Sequence, residues 1–163
     1  MKIKTITANA IVAALYVALG LLVAPIAFGA IQFRLPEIFN HLIVFNKKYF
    51  WGIIVGVFVT NLFFSSLGWY DLVFGVGQSV ISLLITIILA KFVKNTIWRM
   101  VLNTIVFTFT MAIIAFELVL VFDLPFFYTW LTCAIGELLV MGIGIPLMYG
   151  IDQKVHFNRL IEK

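Results

Sequence analysis

Ile31-Gln32-Phe33-Arg34-Leu35-Pro36-Glu37-Ile38-Phe39-Asn40-His41-Leu42-Ile43-Val44-Phe45-Asn46-Lys47-Lys48 is the stretch on which the fold turns. Its apolar part, 37–46, is short for a membrane span. From Pro36 to Lys47 a helix rising ~1.5 Å per residue covers only about 16 Å, roughly half the hydrocarbon thickness. Yet the charges on either side, Arg34 before it and Lys47 and Lys48 after it, require a crossing. Residues 31–35 are therefore predicted to dip back into the protein as a re-entrant outer loop, with Pro36 in the first turn of a helix begun at depth. Non-helical backbone persists there only where protein buries it or water fills a cavity. The stretch thus predicts an outward-facing cavity floored by this loop. The alternative is a tilted helix beginning near Phe28 and kinked at Pro36.

Around this segment the rest of the chain is apolar. With 64% hydrophobic and 11% charged residues, 163 residues have too little polar surface to coat a soluble globule. Apolar runs lie at 5–24, 37–46, 49–66, 71–91, 97–122 and 126–150, and they predict an all-α membrane protein, a six-helix transmembrane bundle with a short second helix. At ~20 residues per span there is room for one bundle, 1–163, and no further domain. The first run is long enough to cross by itself and is read as a mature helix, not as a cleaved signal. Placing the N-terminus inside collects ten of the eleven basic residues on cytoplasmic connections and leaves only Arg34 outside. N and C termini are thus expected to be cytoplasmic. Asp71 and Asp123 fall outside, and Trp69-Tyr70 and Phe126-Phe127-Tyr128 with Trp130 would anchor the outer interface. The net charge of +4 reports this topology and implies no nucleic acid.

Polar groups within the spans point to function, because an ionisable side chain near the bilayer centre costs roughly 2.5–3.5 kcal/mol on insertion scales. Glu137 lies about 16 Å down a helix that starts at Phe126, close to the midplane. Glu117 is shallower, nearer the outer end of the fifth span. Either acid can be satisfied by a neighbour, pair with Arg34, or await a cationic ligand. Arg34 and Glu37 stand three apart and either neutralise each other or bind. In an extended segment Gln32 and Arg34 point to one side and could address one planar polar ligand, with Trp69 or Tyr70 offering a stacking face. Asn40, His41, Asn61 and Gln78 are each readable as interhelical hydrogen bonds of about 0.6 kcal/mol or as ligand contacts. Ala10, Ala14 and Ala18 form a smooth strip on the first helix, and Gly52 with Gly56 forms a second small-residue site. Both strips suit either packing within the chain or docking of another membrane protein.

Missing motifs narrow the classes. No phosphate loop of the GxxxxGK[ST] type occurs, so the chain is not expected to hydrolyse ATP itself, and no HExxH occurs. Ser79 and Ser82 have no histidine base in a neighbouring span. Cys133 is single and excludes a disulfide framework or a cysteine-based zinc site. No catalytic residue, metal or cofactor is expected.

Three stretches resemble a known family. Ile31-Gln32-Phe33-Arg34 with Pro36-Glu37 resembles the I-Q-F-R-x-x-E signature of the substrate-binding S components of energy-coupling-factor (ECF) transporters, within them the QueT-type queuosine-precursor transporters. Asp71-Leu72-Val73-Phe74-Gly75 resembles that family's D-x-x-F-G at the fourth helix. Glu117-Leu118, Gly136-Glu137 and Gly144-Ile145-Pro146-Leu147 resemble its last two helices. The chain departs from the pattern at Val76-Gly77-Gln78 and at Thr110, which bears on substrate preference. The resemblance implies a subunit that captures a 7-deazaguanine, in its aminomethyl form, from outside. Its partners would be a transmembrane coupling subunit, contacted through an alanine motif similar to Ala10, Ala14 and Ala18, and two ATPase subunits. Substrate-binding residues are expected among Gln32, Arg34, Glu37, Asn61, Trp69, Asp71, Glu117 and Glu137. An S component for another nutrient, and a scaffold subunit that transports nothing, are the competing readings. A secondary transporter would carry an internal repeat, and no convincing one is seen.

Overall fold

The computed structural model describes residues 3–27 and 34–162, apart from the side chains of 24–27. Gln32, and the predicted re-entrant loop up to Phe33, lie outside the described residues. Among the described residues the chain is helical: α1 (Ile3–Ala27), α2 (Leu35–Phe45), α3 (Phe50–Phe64), α4 (Trp69–Leu89), α5 (Thr96–Phe122), α6 (Phe126–Val155) and α7 (Phe157–Glu162). Five stretches, all but α2 and α7, are long and apolar enough to cross a membrane. The expected bundle class holds. The last helix runs five residues past the expected 150, and a left-handed turn at His156 starts α7, which the hydropathy pattern does not predict.

The short helix sits inside the bundle. Around it α1, α3, α4, α5 and α6 follow one another, each packed on the next, and α2 contacts α1, α4, α5 and α6. Pro36, Glu37, Ile38, Asn40, His41, Leu42, Ile43 and Val44 are all buried. A helix wrapped in protein need not match the lipid thickness, which is why so short an apolar run serves here. Pro36 stands in its first turn, as expected. Its winding is 3₁₀ over Leu35–His41 and α over Leu42–Phe45. At ~2.0 Å per 3₁₀ residue α2 reaches roughly 20 Å, longer than an α-helix of the same residues.

Helix α1 is organised by its polar and small residues. Thr5, Asn9, Val12, Ala13, Tyr16 and Gly20 form its buried stripe, while Ala10, Ala14 and Ala18 lie exposed on the opposite face. Asn9 Nδ2 donates to the Lys48 carbonyl (3.0 Å), and its Oδ1 accepts from the Gly52 N–H (2.7 Å). One turn on, a Cβ at Gly56 would stand 2.7 Å from Tyr16 Cβ. The Gly52/Gly56 site is therefore spent on contact between α1 and α3 within the chain. Gly56→Leu is expected to destabilise the protein by about 1–3 kcal/mol through overpacking, read as a lower unfolding temperature in detergent; an unchanged midpoint would mean that the two helices separate freely.

Both ends of the chain meet on one side of the bundle. Thr5 Oγ1 donates to the Ile161 carbonyl (3.2 Å), and Tyr49 Oη donates to the Phe157 carbonyl (2.8 Å). Asn46 Nδ2 donates to Asn158 Oδ1 and Glu162 Oε1, which ties α7 to the turn after α2. Lys48 lies at this end, beside Asn9, whereas Arg34 lies at the other end of α2.

Candidate functional site

In a 3₁₀ helix side chains three apart eclipse one another. The winding of Leu35–His41 thus lines up Arg34, Glu37 and Asn40 in a column, which an α-helix would fan out. Arg34 Nε and Glu37 Oε1 form a buried ion pair at 3.1 Å, and Asn40 Nδ2 donates to Glu37 Oε2 at 2.9 Å. Mutual neutralisation of Arg34 and Glu37 is therefore present, with Asn40 holding the carboxylate's second oxygen.

The neighbouring helices extend the cluster. Asn61 of α3 accepts from Arg34 Nη2 (3.4 Å) and donates to the Asp71 backbone carbonyl (3.0 Å). Gly75 makes room for it, since a Cβ there would lie 2.5 Å from Asn61 Nδ2. Asp71, in the first turn of α4, accepts from the Ser65 hydroxyl. Glu117 of α5 comes beside Asp71, and Glu137 of α6 comes beside Glu37, with Arg34 within electrostatic reach of both.

Four carboxyl groups thus surround one guanidinium. Glu37, Glu117 and Glu137 have no exposed surface, and Asp71 and Arg34 are nearly as deep. Two of the acids are satisfied: Glu37 by Arg34 and Asn40, and Asp71 by Ser65. The other two are not. Neither oxygen of Glu117 or of Glu137 meets an N–H or hydroxyl donor among the described residues, each acid lying instead against another carboxyl, Asp71 and Glu37 respectively, and Arg34 Nη1 and Asn40 Oδ1 are also free. A buried carboxyl without a donor is costly.

The other polar groups within the bundle behave differently. Gln78 Nε2 donates to Thr110 (3.1 Å), Ser82 and Thr110 share a hydrogen bond (2.6 Å), and Ser79 donates to Gln78 Oε1 (3.3 Å). Asn103 joins Thr86, the Asn40 carbonyl and His41, whose Nε2 donates to the Met141 carbonyl (2.9 Å). Gln78 and His41 are thus interhelical fasteners. Ordinary polar pairing is complete here and incomplete around Glu117 and Glu137, which sets the two regions apart.

Of the expected binding residues the fold brings together Arg34, Glu37, Asn61, Asp71, Glu117 and Glu137. Asn61 spends both its amide atoms on holding Arg34 and Asp71 in place. Trp69 is 80% exposed and stands away from this cluster, as an interface anchor would. Gln32 lies outside the described residues. Ser65 and Asn9 were not legible as site or packing residues, although a lone amide inside an apolar run, as at Asn9, is a signal of interhelical bonding.

Five membrane-length helices enclosing a buried cluster of carboxyl groups and one guanidinium define a multi-pass membrane protein with a polar centre. Residues 6–153 match the family model described as QueT transporter, and the chain belongs to that family. It is similar to the "Queuosine precursor transporter QueT" of Lactococcus lactis subsp. cremoris (strain MG1363), at 35% identity over 97% of this chain and 98% of that protein. No solved structure matches the chain. The protein is accordingly a multi-pass transporter of the prokaryotic cell membrane and not itself an enzyme.

Proposed function

We propose that this chain is the substrate-binding S component of an ECF importer and captures a queuosine precursor, a 7-deazaguanine in its aminomethyl form. One observation carries the choice of ligand: four buried carboxyl groups face a single guanidinium, and Glu137 meets no N–H or hydroxyl donor among the described residues. A solute bringing a protonated amine relieves that imbalance. The name of the 35% identical relative supports the same ligand class.

Both termini are cytoplasmic in this reading. The end where Thr5 meets Ile161 also carries Lys48, as the positive-inside rule requires, and the acid cluster lies toward the outside. Ala10, Ala14 and Ala18 are the contact to a transmembrane coupling subunit, which brings two ATPase subunits that hydrolyse ATP. Their exposure supports docking, because the strip is left uncovered among the described residues.

Isothermal titration of the purified chain in detergent with 7-aminomethyl-7-deazaguanine tests the reading. Saturable binding tighter than about 1 μM, some 8 kcal/mol, is expected with no partner subunit present. Absence of heat with this ligand, together with binding of an unrelated vitamin, would make the chain an S component for another nutrient.

A further inference from the structure

The atoms left unpaired in the site outline the solute that completes it. Among the described residues the buried side-chain atoms without a hydrogen-bond partner are Arg34 Nη1, Glu37 Oε1, Asn40 Oδ1, the hydroxyls of Thr60 and Thr108, and both oxygens of Glu117 and of Glu137. Glu37 Oε1 is engaged by the Arg34 ion pair. Setting aside the two hydroxyls, which donate or accept, one free donor faces five free acceptors. The complementary solute is therefore rich in N–H donors and carries at least one acceptor.

The free acceptors are not all in one place. Glu117 lies five residues before the end of α5 at Phe122, and Glu137 lies eleven residues after the start of α6 at Phe126. At ~1.5 Å per residue they sit about 8 Å and about 16 Å from one end of the bundle. Arg34 is within electrostatic reach of both. Their separation in depth is of the order of a fused two-ring heterocycle bearing a short arm. A carboxylate with both oxygens free accepts two adjacent N–H groups side by side. A guanidinium N–H within electrostatic reach of it suits a carbonyl.

Resting on the S-component reading above, we infer that Glu117 and Arg34 Nη1 together read a lactam edge on the solute, a carbonyl beside two N–H donors, while Glu137 holds an amine at the opposite end. Glu117 is then the residue that selects the ring and Glu137 the residue that selects the arm. Asp71 lies against Glu117 and has one oxygen held by the Ser65 hydroxyl, so it sets the position of Glu117. A heterocycle with an amino group and a bare ring nitrogen in place of the lactam edge would present an acceptor to Glu117 and be excluded by unpaired charge.

Two ligands separate the two roles: 7-aminomethyl-7-deazaguanine, which has both ends, and 7-cyano-7-deazaguanine, which keeps the lactam edge and lacks the cation. Titrated against both, the Glu117→Gln chain is expected to lose affinity by about 30-fold or more for each, because a charge-assisted pair of bonds is replaced by an amide that opposes one N–H. An unchanged unfolding temperature without ligand keeps a folding defect apart. If Glu117→Gln weakens the aminomethyl ligand and spares the cyano ligand, Glu117 is a counter-charge and the inference is overturned. If the wild-type chain binds neither ligand, the S-component reading falls and takes this inference with it.

Discussion

Glu137→Gln is expected to weaken binding of the aminomethyl ligand by about 100-fold while leaving that of the neutral cyano analogue within about threefold. The physical basis is the cost of a buried cation deprived of its partner, about 2–5 kcal/mol when one member of a desolvated charge pair is truncated. Glutamine keeps the volume and one acceptor, so packing around α6 is conserved. The unliganded protein should not lose stability, and a small gain is expected, since the change removes a carboxyl with no donor on either oxygen. Titration of the purified variant with the two ligands, beside a melting curve without ligand, checks all three statements. Equal losses for both ligands would remove the counter-charge role and make Glu137 a part of the scaffold.

Ala14→Trp is expected to abolish uptake while leaving ligand affinity intact. Ala14 is exposed in the middle of the Ala10/Ala14/Ala18 strip, opposite the face by which α1 packs on α3. Inside the chain an indole there meets only lipid, so stability and affinity should change little. Against a docked helix it prevents the close approach that small residues allow. Accumulation of the aminomethyl ligand by cells carrying the chain and its coupling subunits should drop by about tenfold or more, with affinity of the purified variant within about twofold. Uptake at the wild-type level would place the coupling contact elsewhere on the bundle. The pair of variants is complementary: one loses capture at the site, the other loses delivery with capture preserved.

Much of this was legible in the residues. An acid alone in an apolar run, as at Glu137, stands out because nothing near it in sequence can satisfy it. The half-length segment after Pro36 announced an unusual second helix by length alone, and the apolar runs located the other spans to within a few residues. What escaped was the 3₁₀ winding of Leu35–His41, a segment packed on α1, α5 and α6. With it escaped the Arg34-Glu37-Asn40 column. The Asn9 bonds to Gly52 and Lys48 join positions about forty residues apart, and no periodicity within α1 reports them.

By itself the sequence determined that the chain lives in a membrane, where its long helices lie to within a few residues, and which family it resembles. Transfer of side chains from water to lipid is nearly additive along a segment, so a linear reading captures it. Which strip of small residues is free and which is used was decided only in three dimensions: Gly52 and Gly56 meet α1, and Ala10, Ala14 and Ala18 stay exposed among the described residues. The same holds for the acids. Glu37 and Asp71 are satisfied by near neighbours in sequence, Arg34, Asn40 and Ser65, whereas only the tertiary structure shows that among the described residues no other helix brings a donor to Glu117 or Glu137.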